Sequence, residues 1–435
     1  MKFERSQQLR QRSHLVIPGG AHTYAKGDDQ YPVEAPGFVA RGEGCRVWDV
    51  DGNEFIEYGM GLRSVTLGHG YAPVVEAAAR AMALGTNFTR PAPLEVELAE
   101  RLVDLIDAAE MAKFAKNGSD ATTAAVKLAR AYTGRDKLLY CRSHPFFSTD
   151  DWFIGTTPMR SGIPRRVSEL SIGFDYNDGA GLAARFAEHP GEIACVILEP
   201  AAFEEPREQF LQVVRSLCDQ HGSVMILDET ITGFRWHLRG AQALYGASPD
   251  LSVFGKALGN GFAIAALVGR RELMRLGGID HERERVFLLS TTHGAETHAL
   301  AAALAVIDAY EEHDVVATLE RQGERLRRGV EAAAREAGVE DQFVILGRPC
   351  NLIYGTRDLG GRPSQPLRTL FLQEMIQRGV IAPSFVISAA HGDAEVDRTI
   401  EAVPGALAVY RRALEDGVAA YLKGRPVKPV WRLHN

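Results

Sequence analysis

Along most of the chain, hydrophobic positions alternate between two spacings. Apolar residues recur every three to four positions in PLEVELAERLVDLI (93–106) and SDATTAAVKLARAYTG (119–134). This predicts two amphipathic helices, the second stopped at Gly134. Between such stretches lie short, almost wholly apolar runs: MAKFA (111–115), DKLLYC (136–141), IACVILEP (193–200), SVMILDET (223–230) and DLSVFGK (250–256). Runs of that kind read as strands covered on both faces. Their alternation with helices from about Tyr71 predicts a mainly parallel sheet with helices on both sides.

The two ends of the chain read differently. The first 45 residues look irregular, and PGGAHTYAKGDDQYP (18–32) is the most loop-like part. CRVWDVDGNEFIEYG (45–59) predicts a hairpin turning at Asp51-Gly52. The Ala-rich stretch Ala299–Ile307 reads as a buried core helix and is too short to span a bilayer. From about residue 311 the charge density rises, and ATLERQGERLRRGVEAAAREAG (317–338) predicts a solvated helix. After it come two strand candidates, QFVILG and CNLIYG, and the helix PLRTLFLQEMIQRG. The fold class expected is α/β, a large domain around a mainly parallel central sheet plus a smaller α+β domain. Residues 56–310 would form the large domain and 311–435 the small one, with 1–55 joining the small domain.

Composition narrows the function classes. The 435 residues are 46% hydrophobic and 24% charged, with a net charge of −7, so no basic surface invites nucleic acid. Five scattered cysteines (45, 141, 195, 218 and 350) argue against a disulfide framework or a zinc site and fit a reducing compartment. The polar start MKFERSQQLRQRSH is unlike a signal peptide. A cytoplasmic protein without membrane segments or metal is the expectation.

Candidate chemistry gathers where strands end. Asp228 and Glu229 close an apolar run with no polar approach; such an acid either caps a turn or faces a ligand. Gly118 and Ser119 open a predicted helix, whose free amides suit an anion, although an ordinary N-cap reads the same way. Lys256 follows a strand inside the glycine-rich VFGKALGNG and is either a carbonyl nucleophile or a solvated loop lysine. LLSTTHGAE (288–296) adds hydroxyls and Gly294, which suit a phosphate or a plain turn. Together these match the needs of pyridoxal 5′-phosphate: a lysine for its aldehyde, an acid for its pyridine nitrogen and a helix N-terminus for its phosphate. Dinucleotide binding fits less well, because GKALGNG lacks the full G-x-G-x-x-G spacing.

The motifs then supply a resemblance. PGG (18–20), VWDVDGNEFIEYG (47–59), LGHGYAPV (67–74), NGSDATTAAVKLARAYTGR (117–135), VILEP (196–200), ILDETITGFR (226–235), GAQALYGASPDLSVFGKALGNG (240–261) and APSFVISAAHGDAEVDRTIEA (382–402) follow one another in order. In these the chain resembles the class III, fold-type I pyridoxal-phosphate aminotransferases, in particular the branch containing glutamate-1-semialdehyde aminomutase. The resemblance implies that Lys256 carries the cofactor and shuttles a proton, and that Asp228 pairs with the ring nitrogen. It places Thr230 on a ring face and Gly118 and Ser119 at the phosphate. Thr291, or Thr292 in its stead, would reach the phosphate of a neighbouring subunit in a homodimer, and Glu204 stands where many members have a glutamate near the substrate.

Departures from the family pattern bear on the substrate. Ser143 replaces an aromatic residue in SHPFFSTDDWF (143–153), leaving His144 or Phe146 to face the ring. Lys26 replaces the arginine that follows PGG in the aminomutases, and their active-site glutamate is missing near Ser384-Phe385-Val386. Arg63 reads either as an anion-binding group or as a surface arginine. The expectation is an aminotransferase working with small-molecule partners, an amino-acid donor and a carbonyl acceptor such as a keto sugar or cyclitol. Substrate would meet Lys26, Arg63 and Phe146. The alternatives are an aminomutase that shifts an amino group within one molecule, and a non-catalytic module that keeps the fold.

Overall fold

A computed structural model of the chain describes residues 1–434. The described backbone forms two compact units, residues 72–316 and residues 1–71 with 317–434.

The first unit is built on seven strands in the order Met111–Ala115, Ala265–Gly269, Leu251–Phe254, Val224–Asp228, Ile193–Leu198, Lys137–Cys141 and Ser171–Phe174. Six of them run in the same direction. Ala265–Gly269 is antiparallel to both neighbours, Leu251–Phe254 and the edge strand Met111–Ala115. Every residue of Ile193–Leu198 and of Val224–Asp228 is buried, as expected of strands covered on both faces. Helix Gly118–Thr133 packs across the central strands, and its ladder ends at Gly134, left-handed at φ +66°. The Ala-rich stretch is helix Thr297–Glu312, which buries Leu300, Val306 and Ile307 and packs against helices Ala72–Leu84 and Pro93–Leu105. The expected α/β fold with a mainly parallel sheet is present. Two of its strands carried no clear signal: Ser171–Phe174 is short and only partly buried, and Ala265–Gly269 begins inside what reads as a glycine-rich loop.

The second unit holds a four-stranded sheet (Val39–Glu43, Arg46–Asp49, Glu54–Glu57, Val380–Ile381) and a three-stranded one (Phe343–Leu346, Asn351–Thr356, Phe385–Val386). Helices Gln365–Gln377 and Asp393–Asp416 accompany them. Val47, Phe55, Leu372, Ile376 and Ile381 form one of its cores. The hairpin turns where expected, with Gly52 at φ +87°. One expectation is corrected: the first residues are not irregular, because Glu4–Val16 is a helix. It has no apolar stripe and buries only Ser6 and Ser13. Its first turn is held from outside, since the Asp51 carboxylate accepts the N–H of Arg5 at 2.7 Å and of Ser6 at 2.9 Å. An acid at that end also meets the helix dipole favourably. Such a long-range cap leaves no periodic trace in the helix itself.

All five cysteines are buried free thiols. Among the described residues, no helix is long and apolar enough to cross a membrane.

Candidate active site

Four strands stop at one rim of the sheet, at Cys141, Leu198, Asp228 and Phe254. Their parallel register sets Leu198 opposite Leu227 and Asp228 opposite Val253, so the residues that follow these ends converge.

The two adjacent acids at the end of Val224–Asp228 have separate tasks. Successive side chains on an extended backbone point to opposite sides. Glu229 turns away and is fully buried. It accepts the N–H of Ala241 at 2.8 Å, that of Gln242 at 2.7 Å and the Thr232 hydroxyl, capping the short helix Ala241–Tyr245. Burial pushes its carboxyl up to about 7 even against these donors. Asp228 is buried as well, and one of its oxygens accepts the N–H of Thr230 at 2.9 Å. Burial pushes Asp228 above the usual carboxylate range, opposed by Thr230 beside it and by the charge of Lys256. The capping reading therefore belongs to Glu229, which leaves Asp228 on the opposite side free of that task.

Lys256 opens the turn Lys256–Gly259 directly after Leu251–Phe254 and the extended Gly255. Its backbone lies in the left-handed region at φ +45°. For a residue with a Cβ this costs roughly 1–2 kcal/mol, and packing on both sides of the turn sustains it. Strain at a lysine that feels a buried acid is what a functional site often retains.

The anion end is built from helix Gly118–Thr133. Asn117 caps it by accepting the N–H of Asp120 at 3.0 Å. The amides of Gly118 and Ser119 have no partner among the described residues. Thr230 packs on this turn. A Cβ added to Gly118 would lie 3.0 Å from the Thr230 hydroxyl and 3.1 Å from its methyl, and one on Gly255 would lie 3.3 Å from that methyl. The Thr230 hydroxyl is itself buried without a well-formed hydrogen bond. Gly118→Val is therefore expected to lower stability by about 1–3 kcal/mol and to weaken cofactor binding. Thermal unfolding of the cofactor-free protein and titration with pyridoxal 5′-phosphate measure the two effects.

The segment 143–153 is sewn to the same helix. The Ser119 hydroxyl accepts the N–H of Thr149 at 3.2 Å, the Thr122 hydroxyl donates to the Phe147 carbonyl at 2.7 Å, and Trp152 Nε1 donates to Thr123 at 2.9 Å. His144 is buried at the rim. Its Nδ1 accepts the N–H of Glu199 at 3.0 Å, so the neutral ring carries its proton on Nε2. Burial drops its pKa to about 3, and the ring stays neutral at physiological pH. The ring centroid lies 4.9 Å from that of Tyr176, whose hydroxyl donates to the Pro200 carbonyl at 2.5 Å. Phe146 is 42% exposed and meets Phe153 edge to face, while Ser143 is exposed, with its hydroxyl 3.3 Å from Cys141 Sγ. Of the two candidates for a ring-facing group, His144 stands at the buried rim.

Other expected site residues have surroundings of their own. Glu204 is exposed and pairs with Arg207 at 3.0 Å. Thr291 is exposed, and a Cβ on Gly294 would lie 3.0 Å from its hydroxyl. Lys26 and Arg63 belong to the other unit. Lys26 is exposed and lines a cavity of about 490 Å³ within that unit, together with Arg10, His14, Glu57 and His69. Arg63 is half-buried and left-handed at φ +73°, and its Nε donates to Asn351 at 2.8 Å. It is a built-in residue of its unit rather than a solvated surface arginine. The bond of His144 to Glu199, the contact of Thr230 with Gly118 and the place of Tyr176 were all missed from the sequence. Only VILEP, a strand ending in an acid, hinted at the first.

These residues fit pyridoxal 5′-phosphate. Two unpartnered amides at a helix N-terminus suit the phosphate, Asp228 suits the ring nitrogen, and Lys256 suits the aldehyde.

Comparison with known proteins agrees. A family model described as aminotransferase class-III matches residues 25–342. A curated relative from Desulforamulus reducens, named glutamate-1-semialdehyde 2,1-aminomutase, is 32% identical over 92% of this chain and 96% of its own. Among solved structures, the pyridoxal-phosphate internal aldimine form of the FumI protein of Sphingopyxis sp. MTA144 superposes with a TM-score of 0.87 at 29% identity, covering 97% of this chain and 99% of that one. An omega-transaminase from Sphaerobacter thermophilus superposes at 0.81 with 27% identity, covering 93% and 98%.

Proposed function

The chain belongs to the class-III aminotransferase family, whose members are fold-type I enzymes dependent on pyridoxal 5′-phosphate, and from that premise we propose that it moves amino groups with Lys256 and Asp228 as its catalytic pair. The observation that carries this reading is the convergence of a strained lysine, a buried acid and an open helix N-terminus on one sheet rim. The cofactor, when bound, supplies an aldehyde for the amine and a ring that withdraws electrons from the substrate's Cα. Asp228 holds the ring nitrogen protonated. Lys256 would hold the cofactor's aldehyde end and would be the base that moves the proton at Cα. Gly118 and Ser119 would hold the phosphate through their amides, and Thr230 and the neutral His144 would contact the ring. The working unit is a homodimer in which Thr291 reaches the partner's phosphate.

Two finer readings share this machinery. By name, the curated relatives support a shift of the amino group within one molecule better than transfer between two. The departures from the aminomutase pattern in the sequence support transfer. Lys26 offers a point charge in place of the arginine fork that grips a carboxylate in two places, and Ser384-Phe385-Val386 supplies no acid. On that basis the substrate is an amino donor paired with a separate carbonyl acceptor, a keto sugar or cyclitol among them. In a panel of donors and acceptors run on the parent and on Arg63→Ala, turnover is expected to require both substrates. Glutamate-1-semialdehyde should be a poor substrate, and Arg63→Ala should lower the specificity constant for anionic or polyhydroxylated acceptors. Efficient isomerisation of glutamate-1-semialdehyde with no added donor would establish the aminomutase reading instead.

A further inference from the structure

One ion pair in residues 72–316 joins the anion end of the site to the segment that carries Thr291. Lys116 follows the edge strand Met111–Ala115 and immediately precedes the Asn117-Gly118-Ser119 turn. Its ammonium binds Glu296 Oε2. Glu296 is the last residue before helix Thr297–Glu312, and its other oxygen faces His293 Nδ1 at 3.3 Å. The 291–297 segment is also fixed on a second side. Asn87 Nδ2 donates to the Thr292 carbonyl at 2.9 Å, Thr297 N–H to the Thr86 carbonyl at 3.1 Å, and the Thr297 hydroxyl to the Gly85 carbonyl at 2.7 Å. Side-chain exposure is 29% for Lys116 and 17% for Glu296, so the pair is better shielded than an ordinary surface pair. Lys116 holds the Glu296 carboxyl below its ordinary value.

We propose that Lys116 and Glu296 are positioning residues for the cofactor's phosphate, locking the Gly118-Ser119 turn to the Thr291 segment of the same chain. This deepens the reading of that turn as the phosphate seat and rests on it. Two effects follow from the geometry. The pair removes freedom from a turn whose amides must point together at one anion, and an anion binds more tightly to donors already held in place. Lys116 also cancels the charge of an acid anchored one residue from the turn, which would otherwise repel a phosphate dianion.

The test compares cofactors with and without the phosphate. Cofactor-free protein is titrated with pyridoxal 5′-phosphate and separately with pyridoxal, and binding is followed by absorbance. The parent is expected to bind the phosphorylated form far more tightly. Lys116→Met should weaken pyridoxal 5′-phosphate by on the order of fivefold, the equivalent of roughly 1 kcal/mol, and leave pyridoxal unchanged. Glu296→Gln should lose less, because no bare carboxylate remains. The exchanged pair Lys116→Glu with Glu296→Lys should recover most of the loss. Equal weakening of both ligands would make the pair a general scaffold contact and overturn the proposal, as would no weakening at all. A parent that does not discriminate between the two ligands would overturn the phosphate reading of the turn itself, an outcome distinct from failure of the ion pair.

Discussion

Lys256→Ala is expected to abolish amino transfer. In a single-turnover experiment with a good amino donor, removal of the Cα proton should slow by about 10²- to 10⁴-fold, the range a positioned acid–base group contributes. The protein should still take up pyridoxal 5′-phosphate, because the phosphate end and Asp228 remain. Lys256 sits in the left-handed turn after Leu251–Phe254, and its charge reaches the buried Asp228. Borohydride reduction of the parent, followed by digestion and mass spectrometry, should place the cofactor on this residue. Label on any other lysine, or a variant within tenfold of the parent rate, would remove Lys256 from the reaction.

Asp228→Ala should be nearly as damaging by a different route. A buried carboxylate facing the ring nitrogen keeps that nitrogen protonated, and the protonated ring draws electrons from Cα. If the acid raises the nitrogen's pKa by ~2 units, it contributes roughly 3 kcal/mol, or about a hundredfold in rate. Proton removal in a single turnover should fall by that order, while Lys256 still reacts with the cofactor's aldehyde. A rate within about tenfold of the parent, a barrier change of only ~1.4 kcal/mol, would contradict the role. The matching change at Glu229 should look different. Glu229→Ala strips the cap from helix Ala241–Tyr245 and should act on stability first.

The sheet was legible where a uniformly apolar strand stood clear of turn residues, because burial on both faces writes itself into composition. Val224–Asp228 and Ile193–Leu198 are such strands. Ala265–Gly269 is as apolar and as buried, but the glycine-rich stretch before it masked it. Ser171–Phe174, short and half-covered, gave no such record. The helix Glu4–Val16 escaped because its stabilising partner, Asp51, lies far along the chain. The run Met60, Gly61, Leu62 and Arg63, with φ from +41° to +73°, escaped for the opposite reason: Met, Leu and Arg disfavour that region, and only surrounding structure holds them there. The places of Asp228, Lys256 and the Gly118-Ser119 turn at strand and helix ends were readable because each follows a strand or opens a helix. The pairing of Glu204 with Arg207 was not, since residue type and spacing carry no record of it. The same limit hid the contact of Thr230 with Gly118, which depends on two distant segments meeting.

The division of labour between Asp228 and Glu229 makes this strand end intolerant of changes in length. A substitution alters one task and leaves the other in place. A single-residue insertion or deletion within Val224–Leu227 would move the acids one position along the ladder opposite Leu251–Phe254 and exchange the sides they face. Glu229 would then leave the amides of Ala241 and Gln242 unmet, and Asp228 would take its buried side. Grafting a new substrate pocket onto this scaffold is therefore safest in the loops beyond the rim, where length can vary without rotating the acids.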